Sequence, residues 1–195
     1  MKIFPLSALV DVPWKNGGGV TRNIASGVVG AQVAWRISRA DVATQGPFSD
    51  FAGMTRVLTV VSGGAMELRA PTQVIEARLW EPVEFDGALQ IESRLTNGPL
   101  TDLNLMFDPT LCVGAVTTRR GPDFGLVQRP ERGLLAFHVL SGAPKINAAE
   151  LATGDTVFND AADAAIQLAE GEAVLEIRLD DADHKEAIKL FIAPL

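Results

Sequence analysis

The sequence predicts an all-β protein built as two related small barrels in one chain, and three observations carry that prediction. Short apolar or alternating runs recur along the whole length with Gly, Pro, Asn and Asp between them, the punctuation of a sandwich or barrel. Helical periodicity is scarce. Landmarks also repeat. Val61-Ser62-Gly63 resembles Leu140-Ser141-Gly142 at an offset of 79 residues, while Phe85-Asp86 matches Phe158-Asn159 and Asn97-Gly98 matches Glu170-Gly171, both at an offset of 73. A constant offset across two landmarks, with one indel before them, marks a duplicated β unit.

The expected strands follow in order. Val33 to Val42 alternates, with Val33, Trp35 and Ile37 on one face and Gln32, Arg36 and Ser38 on the other. Arg56 to Val61 ends in Ser-Gly, and Ala65 to Arg69 resumes beyond the glycines. Val74 to Trp80 and Leu89 to Leu95 precede the Asn97-Gly98 turn signal. Asp102 to Phe107 alternates again, Asp102 and Asn104 opposite Leu103, Leu105 and Phe107. Leu134 to Leu140, Ala164 to Leu168 and Ala173 to Leu179 form the second set. One short helical turn is expected after Asn147, because Glu150 stands three residues on as a capping box prefers. Residues 118 to 130 read as loop, which divides the chain into barrels at 1–118 and 119–195, closely associated as one unit across which strands are free to cross.

Composition excludes several classes of function. A content of 47% hydrophobic and 21% charged residues is that of a globular chain with a real core. The longest stretch without a charged residue, residues 23–35, is broken by two glycines and is too short to span a membrane. The N-terminus lacks the flanks of a secretory signal, so the expected location is cytoplasmic. Net charge is -7, but residues 146–195 carry 11 acids against 3 bases while residues 1–145 carry 13 against 14. Nucleic acid and anionic membrane are therefore not expected partners, since both draw affinity from clustered Lys and Arg. The single cysteine, Cys112, excludes an intramolecular disulfide and a cysteine-based zinc site. Two histidines cannot build a three-histidine metal centre, and no metal or other cofactor is expected. His138 reads as a hydrogen-bonded interior residue and His184 as a surface residue among acids.

The most informative stretch runs Pro13-Trp14-Lys15-Asn16-Gly17-Gly18-Gly19-Val20-Thr21-Arg22. Consecutive glycines permit left-handed torsions or close approach of another group, and such a loop can present amides to an anion with Lys15 and Arg22 adding charge. On the strands, Arg36, Ser38, Asp102 and Asn104 are either a solvent face or the convergent polar groups of a barrel lumen. Phe48, Phe51, Met54 and Trp80 read as core.

At this point the residues carry a resemblance. The glycine-rich stretch, then Trp35-Arg36-Ile37-Ser38, then Gly46-Pro47-Phe48-Ser49-Asp50-Phe51-Ala52-Gly53, then Asp102-Leu103-Asn104-Leu105-Met106, are similar in order and spacing to the successive signatures of the HutD/Ves family. The resemblance implies a bicupin fold of two jelly-roll-like barrels, a metal-poor cupin associated with histidine utilisation, and ligand binding or regulation more than catalysis. The family tends to carry an acid two residues after Thr21, where this chain has Asn23.

Together these readings lead to a metal-free small-molecule binder with a regulatory role, taking a small anionic carboxylate from histidine breakdown. The expected ligand-binding residues are Trp14, Lys15, Asn16, Gly17, Gly18, Thr21, Arg36, Ser38, Asp102 and Asn104, with Arg36 holding the carboxylate bidentately. The alternative is a metal-independent hydrolase or isomerase in which Asp102 is the catalytic candidate. A homodimer is compatible with either. A third reading makes the acidic Asp180, Asp181 and Asp183 an interaction face.

Overall fold

The chain runs through strands joined by tight turns, as its punctuation requires. The structure, a computed structural model, describes residues 1–159, 162–182 and 186–193. In chain order the strands are β1 (Lys2–Phe4), β2 (Val12–Pro13), β3 (Gly19–Val29), β4 (Gln32–Val42), β5 (Gly46–Pro47), β6 (Thr55–Ala70), β7 (Gln73–Ala77), β8 (Val83–Asp86), β9 (Glu92–Phe107), β10 (Cys112–Arg120), β11 (Asp123–Val127), β12 (Gly133–Ser141), β13 (Lys145–Ile146), β14 (Ala149–Glu150), β15 (Thr156–Asn159), β16 (Ala164–Leu168), β17 (Ala173–Asp181) and β18 (Lys189–Ile192). Leu6–Ala8 forms a 3-10 turn. Among the described residues no helix is long and apolar enough to cross a membrane. The fold is all-β.

The first barrel is made by the sheet β18-β3-β4-β9-β6-β7, with β2 on β3, β5 on β9 and β8 on β6. The second uses β1-β15-β12-β17-β10 and β11-β16-β13-β14. Strand alternation sorts the apolar side chains into three layers. Trp35, Ile37, Leu103 and Leu105 meet Leu134, Ala136, Leu175 and Ile177 between the large sheet and the five-stranded sheet. Ala40, Val42, Leu58, Val60 and Phe85 pack inside the first barrel. Leu135, Phe137, Val139, Ile166 and Val174 fill the second. Ile37, Leu103, Leu105 and Leu175 keep no exposure, and burial of each such side chain contributes roughly 1.5–3 kcal/mol.

Two expected interruptions are absent. Residues 56–61 and 65–69 belong to one strand, β6, and residues 92–95 and 102–107 to one strand, β9, so each long strand serves two walls of the barrel. The register shifts between Val60 and Ser62 and between Gly63 and Ala65 let β6 bend. Gly63 has φ 88°, and a Cβ there would lie 2.5 Å from the Pro99 carbonyl oxygen. A shift between Val139 and Ser141 mirrors the first of these in β12, so the repeated Ser-Gly landmark marks a bulge in each copy.

Other expectations are corrected. The helical turn after Asn147 is instead a two-residue hairpin loop: Ile146 pairs with Ala149, and Asn147 and Ala148 have φ of 49° and 65°. Positive φ at both central positions is the geometry of a primed turn, whose twist matches its strands. The run to Trp80 leaves strand at Ala77. The stretch read as loop between the barrels holds the end of β10 and all of β11. The glycine-rich segment leads straight into an 11-residue strand, β3.

Strands also cross between the halves. β1 pairs with β15, β18 pairs with β3, and β10, within which residues 118 and 119 fall, pairs with β17. Each end of the described chain thus belongs to the sheet of the opposite half. His138 is fully buried, its Nδ1 2.9 Å from Thr156 Oγ1, and burial pushes its pKa down to about 3. His184 and Asp183 lie outside the described residues. Asp180 is hydrogen-bonded by Arg178 Nε at 2.8 Å.

Candidate functional site

Strand register builds the site before any side chain is considered. On the lumen face of the first barrel, β9 lies between β4 and β6, which places Asp102 between Ala40 and Val60, Asn104 between Ser38 and Leu58, and Met106 between Arg36 and Arg56. On this face opens a cavity of about 480 Å³, lined by the grid's polar residues together with the loops at 13–18 and 44–51. That volume is within the range of small-molecule sites.

The polar residues form a chain. Arg56 Nη2 donates to Asn104 Oδ1 at 2.9 Å, and Asn104 Nδ2 donates in turn to Asp102 Oδ1. Arg56 is 4% exposed, with the rings of Phe48, Phe51 and Phe85 5.1 to 5.2 Å from its guanidinium carbon. Aromatic faces stabilise a cation that has left water. Burial still lowers its pKa to about 10, offset by attraction to Asp102, with repulsion from Arg36 adding to the fall. Asp102 is 1% exposed. Loss of solvation raises its pKa from 3.8 to about 7, against the pull of Arg56 and the Asn104 hydrogen bond. Burial likewise lowers the pKa of Arg36.

Three buried atoms in this cavity lack a partner: Arg36 Nε, Arg56 Nε and Asp102 Oδ2. Such groups carry a desolvation cost of about 1–3 kcal/mol unless something bonds to them. Arg36 makes no ion pair among the described residues. The charged lining residues are Lys15, Arg36, Arg56 and one acid, a donor set suited to an anion and not to a cation.

The glycine-rich loop forms the rim of the cavity. Trp14 Nε1 donates to Thr21 Oγ1 at 2.7 Å, and Trp14 packs on the apolar layer inside the barrel. Two of the loop's amides are engaged within the loop itself. Gly17 N–H donates to the Trp14 carbonyl at 3.0 Å and Gly18 N–H to Asn16 Oδ1 at 3.0 Å. The need for glycine is steric at Gly19, where a Cβ would lie 2.4 Å from the Asp41 carbonyl oxygen. Arg22 is also engaged elsewhere, 2.6 Å from both Asp11 and Asp41.

Of the residues named from sequence, Trp14, Lys15, Asn16, Gly18, Thr21, Arg36, Ser38, Asp102 and Asn104 line the cavity. Gly17 does not. It takes φ 71° with open space around it. Arg56, Ser93 and Met106 line it and were missed, and Phe48 and Phe51, read as core, face it. The available signal for Arg56 was a charge at the head of an otherwise apolar run.

A duplicated all-β unit with one hollow, arginine-bearing barrel defines a bicupin-type protein. It resembles the oxalate decarboxylase OxdC of Bacillus subtilis in fold, with a TM-score of 0.63 over 98% of this chain and 79% of that one at 7% identity. The chain belongs to the HutD/Ves family: the HutD family profile matches residues 6–176. It is 30% identical over 145 residues to protein Ves of Escherichia fergusonii, spanning 73% of this chain and 74% of that one. It is 38% identical over 103 residues to an uncharacterised 21.2 kDa protein in the hutC 3′ region of Pseudomonas putida, a match spanning 50% of this chain and about half, 53%, of the relative. The structure of HutD from Pseudomonas fluorescens SBW25, determined in a formate condition, superposes with a TM-score of 0.81 at 27% identity, covering 93% of this chain and 98% of that one.

Proposed function

We propose that the protein binds a small carboxylate metabolite in the lumen of its first barrel and acts through that binding in the regulation of histidine catabolism. The observation that carries this reading is the pair of lumen arginines, Arg36 and Arg56, each with an unpartnered Nε on the wall of one cavity. Guanidinium forks match carboxylates in geometry and charge. The link to histidine rests on the family and on the hutC-region relative. Thermal shift with urocanate and with formylated or formiminated glutamate tests it. Stabilisation that saturates, and that is lost in Arg36→Ala, is the expected result. No stabilisation by any of these acids at millimolar concentration would refute it.

A second reading is a metal-independent enzyme, supported by the buried Asp102, whose pKa near 7 suits proton transfer at physiological pH. Turnover of the bound acid that disappears in Asp102→Asn while binding persists would establish it. Binding without turnover leaves the first reading.

A further inference from the structure

The outer edge of a sheet is a row of unpaired N–H and C=O groups, and folded chains blunt such edges by keeping them short, charged or covered. Of the strands that end the three sheets, all but β11 are blunted in this way. β1 has three residues including Lys2, β14 has two, β18 has four beginning with Lys189, and β7 carries Glu76. β10 is longer, but Cys112 and Gly114 are buried at one end and Arg119 and Arg120 stand at the other.

β11 pairs with β16 along its whole length, and among the described residues no other backbone hydrogen bond reaches it. Its side chains alternate. Val127 joins the core of the second barrel, and Asp123, on the same face, accepts from Arg119 Nη1 at 3.0 Å. Phe124 and Leu126 take the other face, beside the exposed Gln167 and Ala165 of β16. They are 68% and 65% exposed, the highest values for large apolar side chains among the described residues. The one charge of the strand is turned away from them.

The strand also matches itself. Turned about a two-fold axis through Gly125, β11 meets a second β11 antiparallel, with Phe124 across from Leu126 on both sides of the axis and Asp123 across from Val127. No like charges face each other, and four apolar side chains meet on the outer face. At Gly125 a Cβ would find open space, so nothing on the inner face obstructs the axis.

We propose that the protein self-associates through this edge, β11 against β11 of a second copy, which joins the two four-stranded sheets into one. A five-residue ladder and four side chains fall short of the roughly 1,200 Å² at which stable interfaces begin. The dimer is therefore reversible and forms in the upper micromolar range. β11 contributes nothing to the cavity of the first barrel, so the proposal is independent of the carboxylate reading.

Sedimentation velocity on the full chain from about 10 µM to about 1 mM tests it. The weight-average mass climbs toward twice the monomer value. Phe124→Lys and Leu126→Lys, at exposed sites, each shift the midpoint upward by at least about tenfold, as a charge on an open edge does. Gly125→Cys reads the register. Its thiols meet at the axis and form an intermolecular disulfide under mild oxidation at least about tenfold faster than those of Phe124→Cys, which face Leu126 of the second copy. The native Cys112 is buried and does not compete. A wild-type chain that stays monomeric to about 1 mM would overturn the proposal, whatever the lumen binds. Association that both lysine variants retain, or equally fast cross-linking at 124 and 125, would overturn β11 as its site. The wild-type measurement needs no variant, so the proposal stays testable if a substitution impairs folding.

Discussion

Replacing Asp102 by Asn tests the electrostatics of the site without touching its packing. The amide keeps the oxygen that accepts from Asn104 Nδ2 and removes the ionisable proton. In the folded protein burial raises the Asp102 pKa from 3.8 to about 7; Arg56, Asn104 and Arg39 favour the ionised form and Asp41 opposes it. A displacement of that size corresponds to roughly 4 kcal/mol against ionisation. The folded state holds the proton more tightly than the unfolded chain, so the penalty is absent below about pH 4, grows by about 1.36 kcal/mol per pH unit through the interval, and levels off above about pH 7. The variant should therefore match the wild type in stability at pH 4 and exceed it by roughly 3–4 kcal/mol at pH 8. Urea denaturation at intervals from pH 4 to 8 measures this, and because every other group is common to both proteins the difference profile isolates Asp102. Parallel profiles across that range would show that Asp102 is not held neutral, and would refute the account of a desolvated carboxyl beside the lumen arginines.

Carboxylate affinity should fall above pH 7 as Asp102 ionises beside the ligand, and calorimetry in buffers of different ionisation enthalpy should show proton uptake on binding near that pH. His138, fully buried, has its pKa depressed from 6.5 to about 3, so its neutral form contributes stability at neutral pH that is lost as pH falls below about 6. His138→Leu should consequently resist acid unfolding better than the wild type, by up to roughly 4 kcal/mol at pH 3. Gly63→Ala should cost on the order of 2–4 kcal/mol in a thermal melt, because φ 88° and the Pro99 oxygen both exclude a Cβ. Trp14→Phe removes the donor to Thr21 and should cost about 1 kcal/mol while weakening ligand binding at the rim.

Much of the architecture was legible because it is local. Period-two alternation in β4 and in the second half of β9 assigns Ile37, Leu103 and Leu105 to one face and Arg36, Ser38, Asp102 and Asn104 to the other, whatever the sheet does next. The duplication was legible for a similar reason: a bulge needs small residues at a fixed place, and Ser-Gly recurs there. Errors arose where local signals are ambiguous. Gly63-Gly64 and Asn97-Gly98 punctuate a sequence equally well as strand ends or as bends within a strand, and only the pairing of β6 with β9 along both halves distinguishes them. Asn147 with Glu150 suits a helix cap, yet Asn also tolerates the left-handed torsion of a hairpin turn, and pairing of Ile146 with Ala149 selects the latter.

The sequence by itself determined an all-β duplication, the composition of each strand face and the small set of polar residues from which a site could be drawn. Tertiary structure decided which face became lumen, because that depends on how the sheet bends and which strands become neighbours, and neighbours in β4, β9 and β6 are tens of residues apart in the chain. Arg56 shows the difference. In sequence it is a charge heading an apolar run, as a solvent-exposed residue would be. Register with Met106, three aromatic rings and the cavity make it a buried cation. The alternation is a property of each strand, but the want of an anion arises only where strands distant in sequence bring two arginines to one cavity.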